Sequence, residues 1–187
     1  MKERPILMSG PMVRAILEGR KTQTRRKITK NRPFPSGNEG DVLWVRETWR
    51  PTMHPFPIGP RWDYRATAEE DGVPLEGPWK PSIFMPREAC RIRLMVEAVR
   101  IERLQDISVM DAIAEGIEYK NMYLSWNKVW RLYKDYSVKS GKMEDIFCLD
   151  NASDSYKTLW ESINGKGSWD ENPWVWAIKF RRFFEND

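Results

Sequence analysis

The sequence predicts an α+β fold with two insertions. Residues alternate with period two over 41–48, 91–102 and 174–181, which marks strands. Apolar residues recur at helical spacing near 11–18, 109–115 and 155–163. Proline- and glycine-rich or polar stretches at about 50–89 and 118–153 interrupt the pattern. At 187 residues the chain fits one domain enlarged by those insertions, long enough to bury a real core.

Taken in order, Pro5 to Met8 reads as a short first strand. Met12, Val13, Ile16 and Leu17 then share one helical face, with Pro11 suited to the first turn and Gly19 to a left-handed C-terminal position. Residues 27–40 have loop composition. Across 41–48, Leu43, Val45 and Glu47 fall on one face and Val42, Trp44, Arg46 and Thr48 on the other. A carboxylate in line with apolar residues either sits at the solvent rim or pairs with a cation, and a structural ion pair comes ahead of a binding role for Glu47. The first insertion holds most of the thirteen prolines and mixes Trp62, Tyr64, Arg65, Trp79, Lys80, Met85 and Arg87. Such a mixture either clamps bases and phosphates or anchors the loop.

From Arg91 the inward series Ile92, Leu94, Val96, Ala98 changes phase to Val99 and Ile101, as a bulge in a bent barrel strand would produce. Ser108 is the N-cap of the next helix, with Asp111 at the capping-box position, Met110, Ile113, Ala114 and Ile117 as its apolar stripe, and Gly116 as its stop. Glu115 lies off that stripe in the last turn and by itself reads as a solvated helix residue; the helix dipole disfavours an anion there unless Lys21 or an arginine answers it. In the second insertion Trp126, Val129, Trp130 and Tyr133 predict a helix near 125–136. A final helix carries Tyr156, Leu159, Trp160 and Ile163. The last strand sets Trp174, Trp176, Ile178 and Phe180 against Val175, Ala177, Lys179 and Arg181.

The totals narrow the function. A net charge of +4 is too mild to define a nucleic-acid binder, although an uneven distribution can still give a basic patch. Cys90, Cys148 and the lone His54 give no metal-ligand spacing, so neither a metal nor another cofactor is expected. Without a signal-like apolar core or a long apolar run, the expected setting is cytoplasmic and off the membrane.

The densest chemistry lies at Leu17-Glu18-Gly19-Arg20-Lys21-Thr22-Gln23-Thr24-Arg25-Arg26, where a helix ends among charges and hydroxyls. A lysine beside a threonine can supply an attacking hydroxyl and an amine that takes its proton. The same decapeptide also reads as a basic surface loop favoured by the helix dipole.

LEGRKTQTRR, followed by GDVLWVRETW, RIRLMVEAVRIERL with DISVMDAIAEGI, and PWVWAIKF, resembles the ASCH-domain family of PUA-like β-barrels. The likeness spans roughly 5–49, 90–117 and 156–183, in a layout similar to the longer forms often encoded by phages and prophages. It implies a small mixed barrel flanked by helices. The family's small N4-acetylcytidine amidohydrolases carry a catalytic lysine, threonine and glutamate, which fall on Lys21, Thr24 and Glu115. The resemblance implies removal of an acyl group from a cytidine-like base. The non-catalytic alternative is a reader of RNA or of a modified base, and a single-strand ribonuclease is also represented in the family. The expected partner is a nucleoside or single-stranded nucleic acid, chiefly RNA. The expected substrate-binding residues are Arg25, Arg26, Arg46, Glu47, Trp49, Tyr64, Arg65, Trp79 and Arg87.

Overall fold

The computed structural model describes residues 1–30, 37–52, 62–125, 128–140 and 142–184. In chain order the elements are β1 (Glu3–Leu7), α1 (Gly10–Leu17), β2 (Gln23–Lys27), β3 (Val42–Arg46), β4 (Trp49–Pro51), β5 (Trp62–Tyr64), β6 (Arg93–Arg103) and α2 (Val109–Ala114). They continue with β7 (Tyr119–Ser125), β8 (Lys128–Lys134), α3 (Met143–Ile146), β9 (Phe147–Leu149), α4 (Ala152–Asn164) and β10 (Trp174–Arg182). The fold is mixed α+β and rich in strands. Among the described residues no sheet closes into a barrel: β1 and β2 each keep a strand neighbour on one side only. No helix among them is long and apolar enough to cross a membrane.

The chain divides into two compact units, Met1–Glu18 with Pro35–Val99 and Lys179–Asp187, and Gly19–Phe34 with Arg100–Ile178. In the first, β1 pairs in parallel with β3, which pairs antiparallel with β6. Val42, Leu43 and Val45 from β3, Leu94 and Val96 from β6, and Val13, Ala15 and Ile16 from α1 are all buried. The inward series of β6 ends at Val96: Ala98, expected to face inward, is exposed, and Val99 is half-buried. Ile101, expected to continue the inward series, is exposed. The pairing of β4 with β5 and a small core of Trp49, Met85 and Ala89 fix the first insertion.

The second unit packs Leu104, Ile107, Ala112, Ile117, Tyr133, Ala152, Tyr156, Trp160 and Val175 together. α2 starts as its sequence dictates, with the Ser108 hydroxyl accepting the Asp111 N–H at 3.1 Å, and ends at Gly116, whose φ of +85° favours a residue without Cβ. Its buried residue is Ala112, however, and Met110 is exposed, because six residues of helix bury only a narrow stripe.

The second insertion and the last strand also depart from expectation. Residues 119–125 and 128–134 form an antiparallel hairpin, not a helix; Tyr119 lies opposite Tyr133 and Met122 opposite Trp130. Trp126 of the expected helix lies outside the described residues. Apolar residues three and four apart fit one helical face, but these strands are dense in aromatic and β-branched residues, and cross-strand pairing prevails over helical spacing. In β10, Val175 and Ala177 are inward, then Ile178 and Phe180, while Trp174 is exposed. The buried parity thus switches within the strand.

Candidate functional site

The segment Arg20-Lys21-Thr22 runs along the end of α2 and occupies its orphan carbonyls. Thr22 N–H donates to Ala114 O at 2.9 Å, Lys21 Nζ donates to Glu115 O at 2.8 Å, and Arg20 donates to Gly116 O at 3.0 Å. An antiparallel bridge between Lys21 and Glu115 fixes the register. A helix end buried without such partners is unfavourable, so this backbone stitching answers the free carbonyls of the last turn.

The same register delivers Lys21 Nζ to Glu115 Oε2 at 2.9 Å, with the lysine side chain wholly buried and the glutamate 3% exposed. Arg25 approaches the other carboxylate oxygen, Oε1, at 3.0 Å. Arg25 also donates through Nε to Glu102 at 2.7 Å and lies 3.3 Å from Asp111 Oδ2. Gln23 Nε2 reaches Asp111 Oδ1 at 2.6 Å, and Arg100 ties Glu102 and Asp111 together at 2.7 and 2.8 Å. Lys21, Arg25 and Arg100 therefore face Glu102, Asp111 and Glu115 in one network. Glu115 is therefore buried, not solvated, and Lys21 and an arginine, the alternatives foreseen for its charge, both answer it.

Burial is the leading influence on Lys21 and pushes its pKa below the ordinary lysine value; Arg26 and Arg25 act in the same sense, and Glu115 opposes them. Burial likewise holds the Tyr156 phenol well above its usual range, so that side chain stays neutral. Removing an ion from water costs several kcal/mol, and well-packed apolar residues often replace a buried ion pair without loss of stability. Packing alone therefore gives little reason for charges at this position. A lysine whose proton is loosened by burial can serve as a general base, with the adjoining carboxylate fixing its position while opposing the loss of that proton.

Thr24 is buried at 2% exposure on β2. Strand alternation sends it to the face opposite Gln23 and Arg25. Among the described residues its hydroxyl makes no hydrogen bond with a side chain. The structure thus joins Lys21, Arg25 and Glu115 directly and leaves Thr24 on the adjoining strand. Arg25, expected at the substrate, has its guanidinium engaged by protein carboxylates, which suits holding Glu115 in place. Arg26 is half-buried, and burial lowers its pKa.

The other expected binding residues belong to the first unit. Glu47 is 1% exposed and held by Arg91 through two bonds of 2.9 Å, the ion pair anticipated for it. Burial still pushes its pKa up against the pull of Arg91. Arg91 also donates to Thr67 at 3.0 Å and lies 4.0 Å above the Tyr64 ring, whose hydroxyl donates to Ala89 O at 2.7 Å. Trp49, expected at the ligand, is core, packed edge-on to Trp62 at 5.0 Å. Trp79 donates to Leu75 O at 2.8 Å and carries the Arg50 guanidinium 4.3 Å over its ring. Arg46 lies over Trp44 at 5.4 Å and donates to Ile83 O, while Arg87 grips Glu3 at 2.9 and 3.0 Å. Arg65 lines a cavity of about 610 Å³ with Arg14, Thr48 and Thr67. Tyr64 and Trp79 thus each donate a hydrogen bond to a backbone carbonyl of the insertion itself.

Arg91→Ala should cost about 3 kcal/mol of stability, the low end for breaking a buried pair, because Arg91 is 25% exposed. The orphaned Glu47 would have its pKa raised further, so the deficit should shrink as pH falls through that pKa. Urea unfolding at neutral and acid pH checks this; an unchanged midpoint at neutral pH would mean that Glu47 does not depend on Arg91.

Sequence reasoning overlooked Gln23, Arg100, Glu102, Asp111 and Tyr156. A signal for three of them was present: Gln23 shares the strand face of Arg25, and Arg100 and Glu102 lie two apart on one strand. Comparison of the chain with protein families, curated proteins and solved structures returns no match.

Proposed function

We propose that the second unit carries an amidohydrolase site that removes an acyl group from a modified cytidine-like base within a PUA-like, ASCH-type architecture. The observation that carries this reading is the buried Lys21–Glu115 pair, in which burial favours the neutral amine and the carboxylate holds it in one place. Thr24 Oγ1 attacks the amide carbonyl while Lys21 Nζ accepts the hydroxyl proton. The tetrahedral intermediate collapses by breaking the C–N bond, and the proton passes from Lys21 to the departing exocyclic amine. Water then attacks the threonyl ester, again losing its proton to Lys21, and releases the carboxylic acid and free Thr24. Glu115 orients Lys21 throughout, and Arg25 fixes Glu115 from its other oxygen. Neither metal nor redox cofactor enters this scheme.

The absence of a side-chain hydrogen bond on the Thr24 hydroxyl among the described residues suits a nucleophile that a substrate must engage. Its place on the opposite strand face favours a second scheme in which Lys21 activates a water molecule directly. Incubation of the purified chain with N4-acylated cytidines, followed by chromatography of the nucleosides, tests the reading. Free cytidine and the carboxylic acid are expected in equal amounts. Unchanged substrate, with the nucleoside bound at equilibrium, would assign the site to a reader of modified bases, and cleaved single-stranded RNA in a parallel incubation would assign it to a ribonuclease.

A further inference from the structure

The hairpin β7–β8 and the short β9 make a three-stranded sheet whose two faces differ. Tyr133 lies opposite Leu149, and these side chains pack into the core of the second unit. The register puts Lys120 opposite Leu132 and Met122 opposite Trp130 on the other face, and a register shift between Tyr133 and Lys134 brings Phe147 opposite Lys134, on that same face. There Trp130 is 50% and Met122 48% exposed, both far from the burial usual for such large apolar side chains. Lys120 Nζ stands 5.1 Å from the Phe147 ring on the same face. Residues 119–134 contain Lys120, Lys128, Arg131 and Lys134 and no carboxylate; Glu118, just outside them, pairs with Lys134 at 2.9 Å.

An exposed indole on a sheet face that also carries Lys120 and Lys134 matches the chemistry of a single nucleic-acid strand, in which bases stack on rings and phosphates meet cations. A second copy of the chain docked face to face would set lysines against lysines, which like-charge repulsion disfavours. We propose that this outer face binds single-stranded nucleic acid through stacking on Trp130, with Lys120 and Lys134 holding the phosphates. The proposal deepens the nucleobase reading above, since it names a strand rather than a free nucleoside as the carrier of the base.

The test uses the full chain and a fluorescein-labelled oligouridylate free of modified bases, read by anisotropy and by tryptophan quenching, so that it stands apart from any deacylation result. Saturable binding that weakens with salt is expected. Trp130→Ala should weaken it about ten-fold or more. Lys120→Glu should also weaken it and flatten the salt dependence by about 0.7 in log–log slope for each phosphate that the chain no longer neutralises. Trp130→Ala should deacylate a free acylcytidine as the unaltered chain does, and Lys21→Ala should retain oligonucleotide binding. Equal binding of the corresponding duplex, or unchanged binding in both surface variants, would overturn the proposal. So would binding only to phosphatidylserine vesicles, or a concentration-dependent dimer that Trp130→Ala abolishes.

Discussion

Replacing Glu115 by alanine should destabilise the second unit by about 3 to 5 kcal/mol at neutral pH and remove nearly all catalysis, because two wholly buried cations lose their shared carboxylate. Arg25 retains Glu102 and Asp111, so most of the penalty falls on Lys21. The lysine can escape by shedding its proton. Its folded pKa already lies below the unfolded value of 10.5, and loss of Glu115 lowers it further. A base with a depressed pKa costs stability fully below that pKa and is relieved as pH rises through it. The Glu115→Ala deficit should therefore narrow as pH is raised from neutral towards alkaline. The uncharged pair Lys21→Met with Glu115→Leu should recover much of the stability and none of the rate, which separates the chemical role from the structural one. Denaturation midpoints across pH check the first claim; an alanine variant as stable as the unaltered chain at neutral pH would contradict it.

Much of the fold was legible because local rules and tertiary packing agree. Ser108 caps α2 as its side-chain chemistry requires, and α1 and α4 lie where apolar spacing put them, within a few residues. The pairing of Glu47 followed from the cost of a charge in line with Leu43 and Val45, although its partner, Arg91, is 44 residues away and could not be read from spacing. The hairpin was missed because Val129, Trp130 and Tyr133 fit a helical face as readily as a strand, and only the partner strand decides between them. β10 was misphased since strict alternation carries no record of where inward parity switches.

The site was legible to a different degree. Proximity of Lys21 to Glu115 came from resemblance, not from any local pattern, for the two positions are 94 apart in the numbering. What the sequence could not supply is the counter-charge arrangement. Arg25 and Arg26 look equivalent in a basic string, yet Arg25 is locked among three carboxylates, whereas Arg26 is only half-buried. Aromatic residues of the first insertion looked like ligand platforms for a similar reason. Trp49 and Trp79 have the right chemistry to stack a base, but Trp49 is buried against Trp62 with Lys80 over its ring, and Arg50 lies over the ring of Trp79.

Lys21→Ala and Thr24→Ala should each lower the single-turnover deacylation rate by about two to four orders of magnitude, the usual worth of general acid–base and nucleophilic assistance. Groups that act as one unit are strongly non-additive: once the base is gone the hydroxyl attacks poorly, and once the hydroxyl is gone the amine has no proton to take. The double variant should thus be little slower than either single one. Binding of an unreactive acylcytidine analogue should fall far less, since a hydroxyl contributes about 1 kcal/mol to a neutral hydrogen bond. In the unaltered chain the rate should rise with pH along a limb set by Lys21, below the ordinary lysine value, because burial favours the neutral amine. The measurement that bears most directly on the Lys21–Thr24–Glu115 assignment is the single-turnover rate of acyl release from N4-acetylcytidine by the unaltered chain, the two single variants and the double variant. A measurable rate is expected in the first, and similar large losses in the other three. Full turnover after loss of Thr24 would contradict the threonine nucleophile, and losses that simply multiply in the double variant would contradict a single catalytic unit.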